Sequence, residues 1–173
     1  LLMVFATWYL SIKRYQVPCS ALGFRFPTGH LSLVIPWAAL IANLGFSSAY
    51  VTIITATGPD FLLPTTLPAD IMGDGTRRLV TIVLIGLAGP FIEELFFRSF
   101  LLTALISRLG TFRAAIVTSI LFAASHVDLG VMLPFLVSGM LLSWVYLRTR
   151  SIWTSFLTHA AQNLLALWLM TTI

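Results

Sequence analysis

Long apolar runs broken by short clusters of glycine, proline and charge make up this chain, and they fall at positions 1–12, 31–57, 79–107, 114–127, 131–147 and 152–173. None alternates in the manner of a barrel strand. Backbone polar groups in hydrocarbon must be satisfied within the segment, so each run predicts a helix. About 20 residues cross a bilayer, and the pattern predicts an all-α, polytopic transmembrane helix bundle of about six spans. The chain opens at Leu1 inside an apolar run, with neither an initiator methionine nor a signal peptide's basic start, so the first span is expected to be truncated.

The separators are informative. Positions 13–30 are basic and turn-rich, with Pro18, Gly23, Pro27 and Gly29, and 58–78, with three prolines, three glycines and three aspartates, predicts a surface loop. Positions 108–113 are short enough for a tight turn, and Asp128 with Gly130 marks another. Nothing repeats internally. The expected division is 1–78, N-terminal transmembrane helices and loops, and 79–173, a core of four spans.

Composition sharpens this picture. With 58% hydrophobic and 9% charged residues in 173, a soluble globular domain is a poor description. The net charge of +4 sits between the apolar runs, not in a basic stripe interleaved with aromatics, which argues against nucleic-acid binding. Lys13, Arg14, Arg25, Arg108, Arg113, Arg148 and Arg150 fall on one side and Arg77 and Arg78 on the other, which places the first group in the cytoplasm. Cys19 stands alone, so it forms no internal disulfide and no metal knuckle.

Candidate chemistry lies inside the spans. "GPFIEELFFRSFLL" holds both glutamates of the chain, Glu93 and Glu94, with Arg98 four residues after Glu94. An ionisable group at the bilayer centre costs about 2.5 to 3.5 kcal/mol on insertion scales. Arg98, on the same helical face as Glu94 and in the favourable order, offsets part of that; Glu93 points about 100° away and has no such partner on its own helix. Measured from the basic helix ends at about 1.5 Å per residue, Glu93 lies about 21 Å deep, His126 about 20 Å, Asn163 about 18 Å and His159 about 12 Å. Three helices thus bring polar groups to overlapping depths. His30, in a loop, reads as an ordinary polar residue, and Phe96, Phe97 and Phe122 as packing. Pro90, three residues before Glu93, removes a backbone hydrogen bond and is expected to kink the helix, while Gly86 and Gly89 allow another helix to approach closely.

Glu-Glu-x-x-x-Arg (Glu93, Glu94, Arg98), Phe-x-x-x-His (Phe122, His126) and His-x-x-x-Asn (His159, Asn163), in this order on successive membrane helices, resemble the CAAX-protease and bacteriocin-processing (Abi) family of intramembrane endopeptidases. The likeness covers roughly residues 79 to 170. It implies that 79–173 is a protease core in which Glu93 and His126 hold and activate a water. Glu94, Arg98 and Phe122 would support them, Glu94 by orienting His126. His159 and Asn163, one turn apart on one face, can both donate toward one point, as an oxyanion hole requires. The expected partners are a peptide or lipidated-protein substrate and membrane lipid, with no nucleic acid and no cofactor, in a bacterial cell membrane. Two histidines and a glutamate could instead hold zinc, although no His-Glu-x-x-His is present. A non-enzymatic immunity or scaffold protein is the main rival. A proton-relaying transporter is another, disfavoured because no paired broken helices recur in two halves.

Overall fold

The apolar runs wind into six main helices in the computed structural model, which describes residues 2–65 and 68–170. These are α1 (2–14), α2 (Leu31–Thr57), α3 (Gly75–Leu109), α4 (Thr111–Ala124), α5 (Leu129–Thr149) and α6 (Ile152–Met170). Short 3-10 turns at Cys19–Leu22, Asp60–Leu62 and Ala69–Met72 lie between them, and no strand occurs among the described residues. Leu1 and positions 171–173, assigned to the first and last spans by their hydropathy, lie outside the described residues.

The expected polytopic helical bundle is present, and three of its helices, α2, α3 and α5, are long and apolar enough to cross a membrane unaided. The others fall short for identifiable reasons. At 14 residues α4 is a shorter apolar helix of about 21 Å, against about 30 Å of hydrocarbon, and α6 is diluted by Thr154, Ser155, Thr158, His159, Gln162 and Asn163. Helix ends also shift. Arg77 and Arg78, expected in the loop, stand in the first turns of α3, where their N–H groups donate to the Asp74 carbonyl. His126, expected inside the fourth span, lies two residues beyond α4, before a reversal at Val127 with φ of 52°.

The bundle is apolar outside and polar within. Val34, Trp37, Ile41, Val83, Phe112 and Leu157 are exposed, while Glu94, Arg98, Ser99, Thr118, Ser119, Ser143 and Ser155 are buried. This is the reverse of a water-soluble protein and suits a lipid surround. Helices α4 and α5 pack closely because Gly139 faces Ser119, whose side chain would lie 2.9 Å from an added Cβ. Helix α2 packs on α5 and α6, and α1 on the 89–102 part of α3. Leu102, Ala114, Ala115, Tyr146 and Ile152 form an apolar core at the basic end.

Helix α3 changes its hydrogen-bond ladder along its length. It is α-helical over Gly75–Thr81, π-helical over Ile82–Ala88, α-helical over Gly89–Glu94, π-helical over Leu95–Leu102 and α-helical again over Thr103–Leu109. Pro90 does not end the helix; it stands in the first turn of the central α stretch, directly after the first π-helical one.

Loops tie the two ends. At the basic end Ile152 N donates to Gly23 O at 2.9 Å, Ser151 Oγ to Arg25 O at 2.7 Å and Arg25 Nε to Arg150 O at 2.6 Å. At the other end the Asp128 carboxylate accepts from Gly130 N at 2.8 Å and from Thr65 N at 3.2 Å. It thereby joins the α2–α3 loop to the turn that carries His126. The Gly130 N–H bond, more than any other group, holds the Asp128 carboxyl below the usual carboxylate range.

A group whose pKa is depressed on folding contributes stability above its unfolded value and loses it as pH falls through the folded one. The Thr65–Asp128 latch should therefore hold through neutral and mildly acidic pH and open only below the ordinary carboxylate range. Protease nicking of positions 58–65 followed against pH should show late acid exposure in the wild type and exposure at every pH in Asp128→Ala.

Candidate functional site

Helical phase decides what the two glutamates do. Neighbours on a helix diverge by about 100°, so when Glu94 turns into the bundle Glu93 faces a partly open flank. The Glu94 side chain is fully buried and that of Glu93 is 26% exposed. Arg98 Nη1 reaches Glu94 Oε1 at 2.9 Å, with only 1% of the arginine side chain exposed. The guanidinium also donates from Nη2 to Gly139 O on α5 at 3.4 Å, and its carbon lies 4.6 Å from the centre of the Phe122 ring on α4. Two buried charges are tolerable only when paired and hydrogen-bonded, and here three helices share the task.

The fourth helix enters through His159. Its Nδ1 lies 3.0 Å from Glu94 Oε1 and its Nε2 3.7 Å from Glu93 Oε2. A carboxylate so placed accepts, so Nδ1 carries a proton. The imidazole lies between the two adjacent glutamates, hydrogen-bonded to Glu94 and with Glu93 at a distance too long for a hydrogen bond. Phe122 braces it, with its ring edge-on to His159 at 5.7 Å and to Phe97 at 5.3 Å between centres.

His126 is held separately. Its Nδ1 lies 2.9 Å from Phe122 O, one of the carbonyls that the end of α4 leaves without a helical partner. A carbonyl only accepts, so Nδ1 donates and Nε2 of the neutral ring keeps its lone pair. Phe122 at 5.0 Å and Phe135 at 4.3 Å flank the ring. Glu94, expected to orient His126, meets His159 instead, because α6 presents His159 at the depth of the ion pair whereas His126 lies in the turn beyond α4. Phe122 touches both histidines.

Asn163 is one turn from His159 on α6, but it is half-buried and its Nδ2 donates to Ile85 O on α3 at 2.9 Å. His159 and Asn163 thus each spend one donor on a different part of α3, Nδ1 on Glu94 and one Nδ2–H on Ile85 O. His30 remains exposed just before α2, and Cys19 is exposed at the basic end. Sequence reasoning misses the carbonyls of Gly139 and Ile85 and the Phe135 ring, since main-chain acceptors leave no mark in a sequence. For Ile85 the available signal is the proline five residues later.

Among the described residues no group of three or more His, Cys, Asp and Glu side chains is placed to hold a metal ion.

A helical bundle with an apolar exterior and a Glu–His–Arg cluster held among four helices defines an integral membrane protein with a polar centre. Residues 75–165 match the family described as "Type II CAAX prenyl endopeptidase Rce1-like", and the chain belongs to that family. The matched residues take in all three sequence motifs. Over 82 residues, 47% of this chain, it is 30% identical to the "Putative membrane peptidase YdiL" of Bacillus subtilis (strain 168) and covers 34% of that protein. Over the same length it is 29% identical to the "UPF0177 protein YxdF" of Lactococcus lactis subsp. lactis (strain IL1403), of which it covers 45%. The match therefore spans between a third and a half of these bacterial relatives. No solved structure matches the chain significantly.

Removing Arg98 would strand the Glu94 charge in the interior. Arg98→Ala should lower stability by about 3 to 5 kcal/mol, read as a fall in unfolding temperature in detergent. Glu94→Gln added to Arg98→Ala should recover part of it, since the orphaned charge is then gone.

Proposed function

We propose that this chain carries the active core of an intramembrane endopeptidase in which Glu93 is the general base. The observation that carries this reading is the buried Arg98–Glu94–His159 cluster beside Glu93, the one glutamate that remains partly open. Glu94 is committed to Arg98 and His159, whereas Glu93 has a free flank at which a water and a peptide carbonyl can meet. The family description and the name of the B. subtilis relative support the reaction class.

Glu93 takes a proton from water, the water oxygen bonds to the peptide carbonyl carbon, and the carbonyl electron pair moves to oxygen. His126, with Nε2 unprotonated, is the second group that holds the water. Asn163 keeps one Nδ2–H beyond that given to Ile85, and this N–H together with His159 Nε2 stabilises the oxyanion. For His159 to donate from Nε2 as well as Nδ1 the ring must be cationic, and two cations then face two carboxylates. Collapse breaks the C–N bond and the leaving amine takes the proton from Glu93. Phe122 holds the histidines apart and the guanidinium in place. No metal takes part in this scheme. The substrate is a membrane-associated peptide or lipidated protein, in a CAAX-processing-like or bacteriocin-related reaction.

Membranes of cells expressing wild type and Glu93→Gln at matched abundance should be compared by mass spectrometry of terminal peptides. Ends made only by the wild type are expected, with Glu93→Gln slower by about 10²- to 10⁴-fold. Equal sets of ends from the two folded proteins would sink the proposal in favour of a non-enzymatic immunity or scaffold role. A chelator should leave cleavage unchanged; loss restored by zinc would overturn the metal-free scheme. Asn163→Ala should cost about 2.7 to 4 kcal/mol of transition-state stabilisation, measured as kcat/KM on the identified peptide.

A further inference from the structure

In the π-helical part of α3 each N–H reaches back five residues, and Gly89 N donates to Leu84 O in that register. The next donor in the series would be the N–H of residue 90, aimed at Ile85 O. Residue 90 is proline and has none. The donor four residues after Ile85 is Gly89, already engaged by Leu84. Ile85 O is thus released from its own helix by one residue's chemistry, at a place where hydrocarbon offers no substitute donor. Asn163 Nδ2 supplies it from α6 at 2.9 Å.

We infer that Pro90 is a positioning residue for the active site: by lacking an N–H it frees the Ile85 carbonyl to fix the Asn163 side-chain amide. This rests on the role proposed above for Asn163. The bond settles which end of the amide faces α3 and leaves the nitrogen its second hydrogen for the role proposed above. An alanine at 90 would bring back an N–H that competes for Ile85 O and leaves the amide free to rotate or flip. The same bond ties α3 to α6 close to Gly86, where an added Cβ would lie 2.5 Å from the Leu164 side chain, so the two helices meet closely at this point.

The test is a double-mutant cycle with Pro90→Ala and Asn163→Ala, read in two ways. On a cleaved peptide, Pro90→Ala should lower kcat by about 10- to 100-fold with little change in KM, and should have almost no further effect once residue 163 is alanine. In detergent, the drop in unfolding temperature caused by Asn163→Ala should be clearly larger with proline at 90 than with alanine, and this readout needs no activity. Alanine is the better helix former, so Pro90→Ala is not expected to prevent folding. A proline acting only on helix shape would give effects independent of residue 163. Additive changes in both readouts would overturn the inference. If the wild type cleaves nothing while the unfolding temperatures remain coupled, the proposed function fails and the Pro90–Ile85–Asn163 linkage stands.

Discussion

The ion pair between Glu94 and Arg98 is the constraint around which the bundle is arranged. Both side chains are essentially inaccessible, in a region where an unpaired charge is among the most expensive things a protein can hold. One partner does not satisfy a guanidinium with five donors or a carboxylate with several acceptor sites, and other helices supply part of the remainder, while Glu94 Oε2 and Arg98 Nε have no hydrogen-bond partner among the described residues. Helix α6 sends His159, α5 a main-chain carbonyl and α4 an aromatic face. Four helices are thereby fixed around one charge pair, without an apolar drive that would tell one helix face from another in lipid.

Much of this is legible in the sequence. Six apolar runs become six helices, with the basic clusters of 13–25, 108–113 and 148–150 in or beside the segments that join them. Run length says less about which helices span, because α6 loses hydropathy to the very residues that make it interesting. The spacing of Glu94 and Arg98 announces their pairing, since i and i+4 share a face whatever the surroundings. The same periodicity singles out Glu93, and its partial exposure agrees with that distinction.

The rest depends on relations between helices. Depth along the axis puts His126 nearer Glu93 than His159, yet it is His159 that lies between the glutamates, because axial depth ignores rotation and the stop of α4 at Ala124. The register of α3 is equally hidden. Two π-helical stretches shift the phase of every residue C-terminal to them, and no residue type encodes them uniquely. From sequence Pro90 suggests a kink; what sequence does not show is the bond beside it, from Asn163 Nδ2 on α6 to the Ile85 carbonyl of α3.

Helix α3 has a further consequence through its length. Thirty-five residues make a rod of roughly 50 Å, well beyond the roughly 30 Å of bilayer hydrocarbon. Such a helix must lean or protrude. Arg77 and Arg78 near one end and Arg108 at the other resist being drawn under the surface, so they act as floats that set how far the rod can slide. The altitude of Glu93 in the bilayer is therefore set by arginines some twenty-odd Å away along the axis, and membrane thickness enters as a variable of the site itself.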